Sequence, residues 1–318
     1  MNSNITKQTK IGVLLGGLSS EKGISMLTGE AVFKSLTRLG YNAVKVEVDR
    51  TLPFKLKDMN IEVVFNALHG TYGEDGTIQG LLELMGIPYT GSGITASAIA
   101  MDKILTKHLM TSAGILTPQY ITLNKPVEYS ELLKESGMNL PYMIKPAREG
   151  SSIGISKVST PQELPEALSN AFKYGNRVLV EKFIEGKDIT VAIYDNKVLG
   201  SMEINVADNS AKSFLDYEAK YTEGMEVFCI PPSIQTSLIK TIEDIALSAH
   251  QLLGCSFYSR IDFKVASAGR AYLLEVNTLP GLTALSYVPK IAESKGINYD
   301  QLIEGILKSA SLKEGKGL

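Results

Sequence analysis

The first ninety residues alternate short apolar runs with amphipathic stretches, and this alternation limits the possible folds more than any other feature. Ile11-Gly-Val-Leu-Leu15 is a continuous apolar run that stops at Gly16-Gly17, as a strand buried on both faces of a parallel sheet does. An amphipathic segment follows to about Leu39 and is closed by Gly40. Residues 43–48 and 61–68 read as strands, 77–85 as a helix ended by Gly86, and 87–91 as a short strand. A βαβ series of this kind predicts a small doubly wound α/β unit over residues 1–91.

After residue 91 the pattern changes to α+β. One long helix is predicted over 95–112, ended by Gly114, followed by short strands over 119–123, 142–145, 155–158 and 178–184. Thr160-Pro161-Gln-Glu163 reads as a helix start, with Thr160 as N-cap, Pro161 at N1 and Glu163 completing a capping box. From Asp188 the chain is rich in strands. Residues 189–194 and 197–202 flank Asp195-Asn196, a good hairpin turn. A polar loop over 207–226 is longer than a compact domain carries without a functional reason. A helix over 234–253, a hairpin pairing 258–265 with 271–277, and short helices complete the chain. The expected division is 1–91, 92–186 and 187–318.

The bulk composition excludes several function classes. With a net charge of −2, nothing in the bulk balance argues for a nucleic-acid or membrane-surface partner. No apolar run reaches the roughly 18 residues that a membrane-spanning helix needs, and the polar first ten residues lack the apolar segment of a secretory signal. The two cysteines, Cys229 and Cys255, form no repeated CxxC spacing and read as buried thiols in a reducing cytoplasm.

Four clusters could carry chemistry. Arg260-Ile-Asp262 lies on one predicted strand and Glu275-Val-Asn277 on its neighbour, and alternation puts Glu275 with Asn277 and Arg260 with Asp262 on shared faces. Two carboxylates and an amide oxygen on adjacent strands suit magnesium, a hard cation that bridges phosphates. Lys145-Pro-Ala-Arg148-Glu-Gly150-Ser151-Ser152-Ile-Gly154 leaves a strand into a loop whose small residues let backbone N–H groups approach a phosphate. It is not a Walker A loop, because no Gly-Lys-Ser/Thr opens a helix. Glu181-Lys-Phe183-Ile184, followed by Asp188, reads as a hinge that exposes backbone groups to an adenine edge and a carboxylate to a ribose. Gly16-Gly17-Leu-Ser-Ser-Glu21 and His69-Gly-Thr-Tyr-Gly-Glu-Asp-Gly76 sit at the carboxyl ends of parallel strands, where open α/β sheets bind ligands. Glu21 could hold an ammonium there, whereas His108 and His250 fall in helical patterns and read as structural. Asp49 at the end of the second strand suggests a dinucleotide fold, but the later glycines of G-x-G-x-x-G are missing.

With these motifs in this order, the chain resembles the D-alanine–D-alanine ligases of the ATP-grasp superfamily. The resemblance runs from Gly16-Gly17-Leu-Ser-Ser-Glu21 to Gly281-Leu-Thr-Ala-Leu-Ser286. It also takes in Met101-Asp-Lys103 and Asp216-Tyr-Glu-Ala-Lys220-Tyr221. It implies an ATP-grasp fold behind an N-terminal doubly wound α/β domain. The implied activity makes D-alanyl-D-alanine from two D-alanines and ATP through a D-alanyl phosphate, for peptidoglycan synthesis in the cytoplasm. The implied ATP contacts are Lys103, Lys145, Ser151, Ser152, Glu181, Phe183, Ile184, Asp188 and Lys220. Asp188 departs from the Glu carried by many relatives, which puts nucleotide affinity in question. Asp262, Glu275 and Asn277 would bind two Mg²⁺ ions, with Mn²⁺ as a substitute. Glu21, His69, Lys220, Arg260, Gly281 and Ser286 would hold D-alanine. Glu21, Ser151 and Tyr221 would link three parts of the chain on closure, with Tyr221 favouring D-alanine over D-lactate. A homodimer is expected. Another ATP-grasp carboxylate–amine ligase, or a nucleotide-binding regulator without turnover, would share only part of this set.

Overall fold

The computed structural model describes residues 5–124, 129–150, 153–206 and 226–314. The α/β alternation produces β1 (Ile11–Gly16), α1 (Lys22–Arg38), β2 (Ala43–Val48), α2 (Leu52–Asp58) and β3 (Val63–Asn66), with the parallel sheet ordered β2-β1-β3. Every residue of β1 is buried, as its unbroken apolar run requires. Alternate side chains of β1 face different cores. Leu14 joins Val46, Leu52 and Leu82 on one side, and Val13 joins Val32 and Leu36 of α1 on the other.

Beyond this sheet come α3 (Thr77–Met85), α4 (Ile94–Met101), α5 (Lys103–Ser112), β4 (Tyr120–Leu123), α6 (Tyr129–Ser136), β5 (Tyr142–Pro146), β6 (Ser156–Val158), α7 (Leu164–Phe172) and β7 (Val178–Lys182). The strands form an antiparallel sheet ordered β4-β7-β5-β6, backed by α6 and α7. Next follow β8 (Gly186–Tyr194), β9 (Lys197–Val206), β10 (Glu226–Cys229), α8 (Thr236–Leu252), β11 (Tyr258–Ala266), β12 (Ala271–Asn277), α9 (Tyr287–Ser294) and α10 (Tyr299–Lys308). Their antiparallel sheet is ordered β10-β9-β8-β11-β12. One face packs on α8 through Ile189, Ile261 and Phe263, while Met202 on β9 and Leu302 and Ile306 on α10 share a core with β1.

Several sequence expectations are corrected. The single helix over 95–112 is two helices. Asp102 between them is extended (φ −95°, ψ 100°), and its carboxylate accepts from the N–H groups of Ile104 and Leu105 at 3.2 Å each, capping α5. The strand over 61–68 shortens to four residues, because the Asn66 side chain accepts from Leu68 N–H at 3.1 Å and turns the chain. Residues 87–91 form only isolated bridges through Tyr89, since Pro88 has no N–H to continue a ladder. The capping box at Thr160 does not form. Glu163 instead accepts from Ser159 N–H and the Thr160 hydroxyl, and Pro161–Glu163 is a 3₁₀ turn preceding α7. The two thiols are free and half-buried, not fully buried as expected, and burial pushes the Cys255 thiol up to about 12. Helices α2 and α6 carry too few residues for periodicity to show. Asp195-Asn196 does turn the β8–β9 hairpin, with φ of 53° and 54°.

Candidate active site

The hairpin β11–β12 carries one end of the site. Asp262 stands opposite Glu275 and Arg260 opposite Asn277, and Ile261 and Phe263, which alternate with Arg260 and Asp262, point into the core. Thr190 on β8 donates to Asp262 Oδ1 at 2.6 Å, and Arg260 reaches the same carboxylate through Nε at 2.9 Å and a terminal nitrogen at 2.7 Å. Arg260 also lies 3.7 Å from Glu275, whose other oxygen is 4.0 Å from Lys103 Nζ. Burial works against the Arg260 charge, but Asp262 and then Glu275 hold its guanidinium above its ordinary value. Asn277 Oδ1 accepts from Leu279 N–H at 2.9 Å, fixing the amide.

These residues border two cavities. The first lies between the two antiparallel sheets and is lined by Lys145, Phe183, Ile184, Asp188, Asp262 and Glu275. Asp188 Oδ2 pairs with Lys264 at 2.7 Å, and Lys157 Nζ sits 4.1 Å from the centre of the Phe183 ring. Glu181 also lines this cleft, but its carboxylate is buried and ion-paired with both Lys145 and Lys107. Those two lysines overcome the cost of burial and hold Glu181 below the usual carboxylate range.

The second cavity, about 650 Å³, suits small ligands and reaches the carboxyl ends of β1 and β3. Glu21, His69, Lys103, Arg260, Asn277, Gly281 and Ser286 all border it. His69 is held between Thr28 Oγ1 (2.9 Å) and Glu74 Oε1 (3.3 Å), and Ser286 Oγ lies 2.9 Å from Thr283 Oγ1. Glu21 is buried against two glycines. A Cβ on Gly70 would come 2.7 Å from its Oε2 and one on Gly150 2.4 Å, and Gly70 has φ +71° besides. Glu275 borders both cavities and so stands where they meet.

Lys103 donates its ammonium to Glu149 O, and Arg148 and Arg177 both bind the buried Asp102 carboxylate. The loop containing Gly150 is thereby tied to the start of α5. Burial raises the Glu149 carboxyl above its ordinary value. Ser151, Ser152, Lys220, Tyr221 and residues 207–225 lie outside the described residues. Nothing in the sequence marks Lys107 or Thr190, and Glu74 and Asp102 enter only inside quoted motifs, without a role. Only Asp102 carries a local signal, as an Asp directly before a helical run.

Two family models cover most of the chain. One described as D-ala D-ala ligase N-terminus matches residues 50–92, and one described as D-ala D-ala ligase C-terminus matches 109–308. A D-alanine–D-alanine ligase of Geobacter sulfurreducens is 47% identical over 100% of this chain and 99% of its own length. One from Carboxydothermus hydrogenoformans is 46% identical, covering 94% and 97%. Among solved structures, a D-alanine–D-alanine ligase from Bacillus anthracis complexed with ATP superposes with a TM-score of 0.82 at 34% identity, over 95% of this chain and 97% of that one. A D-Ala:D-Ser ligase from Enterococcus faecalis gives 0.79 at 29%, covering 94% and 98%. A cleft between two antiparallel sheets, bordered by Asp262 and Glu275, together with the match to solved ligases, defines an ATP-grasp ligase. The matches narrow the class: the chain belongs to the D-alanine–D-alanine ligase family.

Proposed function

We propose that this enzyme joins two D-alanine molecules at the expense of ATP, with the nucleotide in the inter-sheet cleft and both amino acids in the second cavity. The position of Glu275 on the border of the two cavities carries this reading, because phosphoryl transfer needs the nucleotide and the acceptor carboxylate to meet at one point. Asp262, Glu275 and Asn277 offer only hard oxygen donors. The amide of Asn277, two residues from Glu275 on the same strand, is held by the N–H of Leu279. This set fits magnesium, as a pair of ions with Mn²⁺ as a substitute, and bound there it would offset charge on the phosphates.

In the proposed reaction, a carboxylate oxygen of the first D-alanine bonds to the γ-phosphorus as the bond to ADP breaks. The amine of the second D-alanine then attacks the acyl carbon, loses a proton and expels phosphate. Glu21 would hold the first ammonium, with His69 fixed close by between Thr28 and Glu74. Arg260, kept cationic by its acidic neighbours, would stabilise the oxyanion of the tetrahedral intermediate. Ser286, beside Gly281, would position the second carboxylate together with Lys220. Lys103 and Lys145 would face the phosphates, and Ser151, Ser152 and Tyr221 would close over them, excluding water from the acylphosphate. We assign the parts to residues 1–91, 92–186 and 187–318, the enzyme to a homodimer and its location to the cytoplasm, where ATP is at hand.

D-alanine-dependent phosphate release, with dipeptide identified by mass spectrometry, tests this reading. Glu275→Ala should lower kcat by about 10³-fold through lost charge stabilisation. Full activity in that variant would overturn the placement of the phosphates.

A further inference from the structure

Beneath the nucleotide cleft lies a second lysine that the reaction described above does not use. Lys107 sits on α5 one turn after Lys103, and its side chain is 0% exposed. It does not border the cleft. Its ammonium is ion-paired with Glu181 Oε1, and Lys145 occupies Glu181 Oε2. The Tyr120 ring lies 5.6 Å from Lys107 Nζ, and Ile104, Ala147 and Leu179 form an apolar cluster nearby.

A fully buried ammonium is costly, and an apolar side chain of similar length would fill the space at less cost. Glu181 and Lys145 alone would form a neutral pair, with the carboxylate competing against any phosphate for the lysine. Burial lowers the Lys107 pKa and the Glu181 carboxylate acts against that, so the Lys107 charge depends on this partner; with it the group is +1 and Glu181 has a counter-ion that cannot leave. We propose that Lys107 is a positioning residue for nucleotide binding. From below the cleft it gives Glu181 a second cation, so that Glu181 holds Lys145 less tightly and Lys145 can turn its charge toward a polyphosphate. The proposal rests on the assignment of this cleft to ATP.

The test compares binding of ADP and of adenosine, which lacks phosphates, to the full-length enzyme with Mg²⁺ present, by calorimetry. Lys107→Met should weaken ADP at least tenfold and leave adenosine within twofold, because Lys145 is then the one remaining lysine beside Glu181 and is held there more tightly. Lys107→Arg keeps a cation against Glu181 and should hold ADP within threefold of wild type. Wild-type ADP affinity in Lys107→Met, equal losses for both ligands, or a tenfold loss of ADP in Lys107→Arg would each overturn the proposal. If Lys107→Met does not fold, Lys107→Gln decides: it should weaken ADP at least tenfold with adenosine within twofold, and wild-type ADP affinity or equal losses would refute the idea. A wild-type enzyme that failed to bind ADP would instead sink the assignment of the cleft.

Discussion

Gly150→Ala puts the contact between the phosphate-side loop and the N-terminal unit to a direct test. The added methyl would sit 2.4 Å from Glu21 Oε2, whereas ordinary contacts begin near 3.4 Å, so one partner must move by about 1 Å. Glu21 is buried and backed by Gly70, whose own Cβ position is 2.7 Å from the same oxygen, so the carboxylate has little room to retreat. A misplacement of about 1 Å in a substrate-holding group costs about 100-fold in rate, or roughly 2.7 kcal/mol. The loss should fall on kcat/KM for D-alanine, measured by coupled phosphate release at saturating ATP. Affinity for adenosine, which lacks phosphates, should stay near wild type, because neither Gly150 nor Glu21 lines the nucleotide cleft. Activity within threefold of wild type would refute the reasoning, as would an equal loss of adenosine binding.

Other substitutions probe separate parts of the molecule. Arg260→Lys keeps the charge but loses the two-pronged grip on Asp262, and kcat should fall about 100-fold in the same assay. Asp102→Ala removes the cap of α5 and the shared partner of Arg148 and Arg177, and chemical denaturation should show a loss of about 2–3 kcal/mol. His250 is buried, with Nε2 facing Asn196 Oδ1 and Nδ1 facing the Ser259 hydroxyl, and burial lowers its pKa from 6.5 to about 4. A depressed folded-state pKa means stability is fully present above pH 6.5 and is lost as pH falls toward 4, by about 2 kcal/mol at pH 5. Melting curves from pH 7 to 4.5 should show this loss in wild type and a shallower one in His250→Gln.

What could be read from the sequence follows from how local each signal is. β1, β2, α1 and α3 announce themselves because apolar spacing and terminal glycines act over a few residues. The shared face of Glu275 and Asn277 follows from strand alternation alone, and the structure places Asp262 opposite Glu275. Lys107 was illegible, since a lysine on a helix reads as solvent-exposed unless its partner is known, and Glu181 reaches it only through the packing of α5 on β7. The break at Asp102 escaped because both flanking segments carry helical patterns, and a side-chain cap on the second half decides between one helix and two. The contact of Glu21 with Gly150 joins loops from different sheets, which no periodicity reports.

Isotope transfer tests the central claim most directly. With D-alanine labelled by ¹⁸O at both carboxylate oxygens, the acylphosphate route moves one labelled oxygen into the released phosphate for each dipeptide formed. The account predicts one ¹⁸O per phosphate, read by mass spectrometry or by the ³¹P isotope shift. Phosphate released without label, alongside authentic dipeptide, would contradict it.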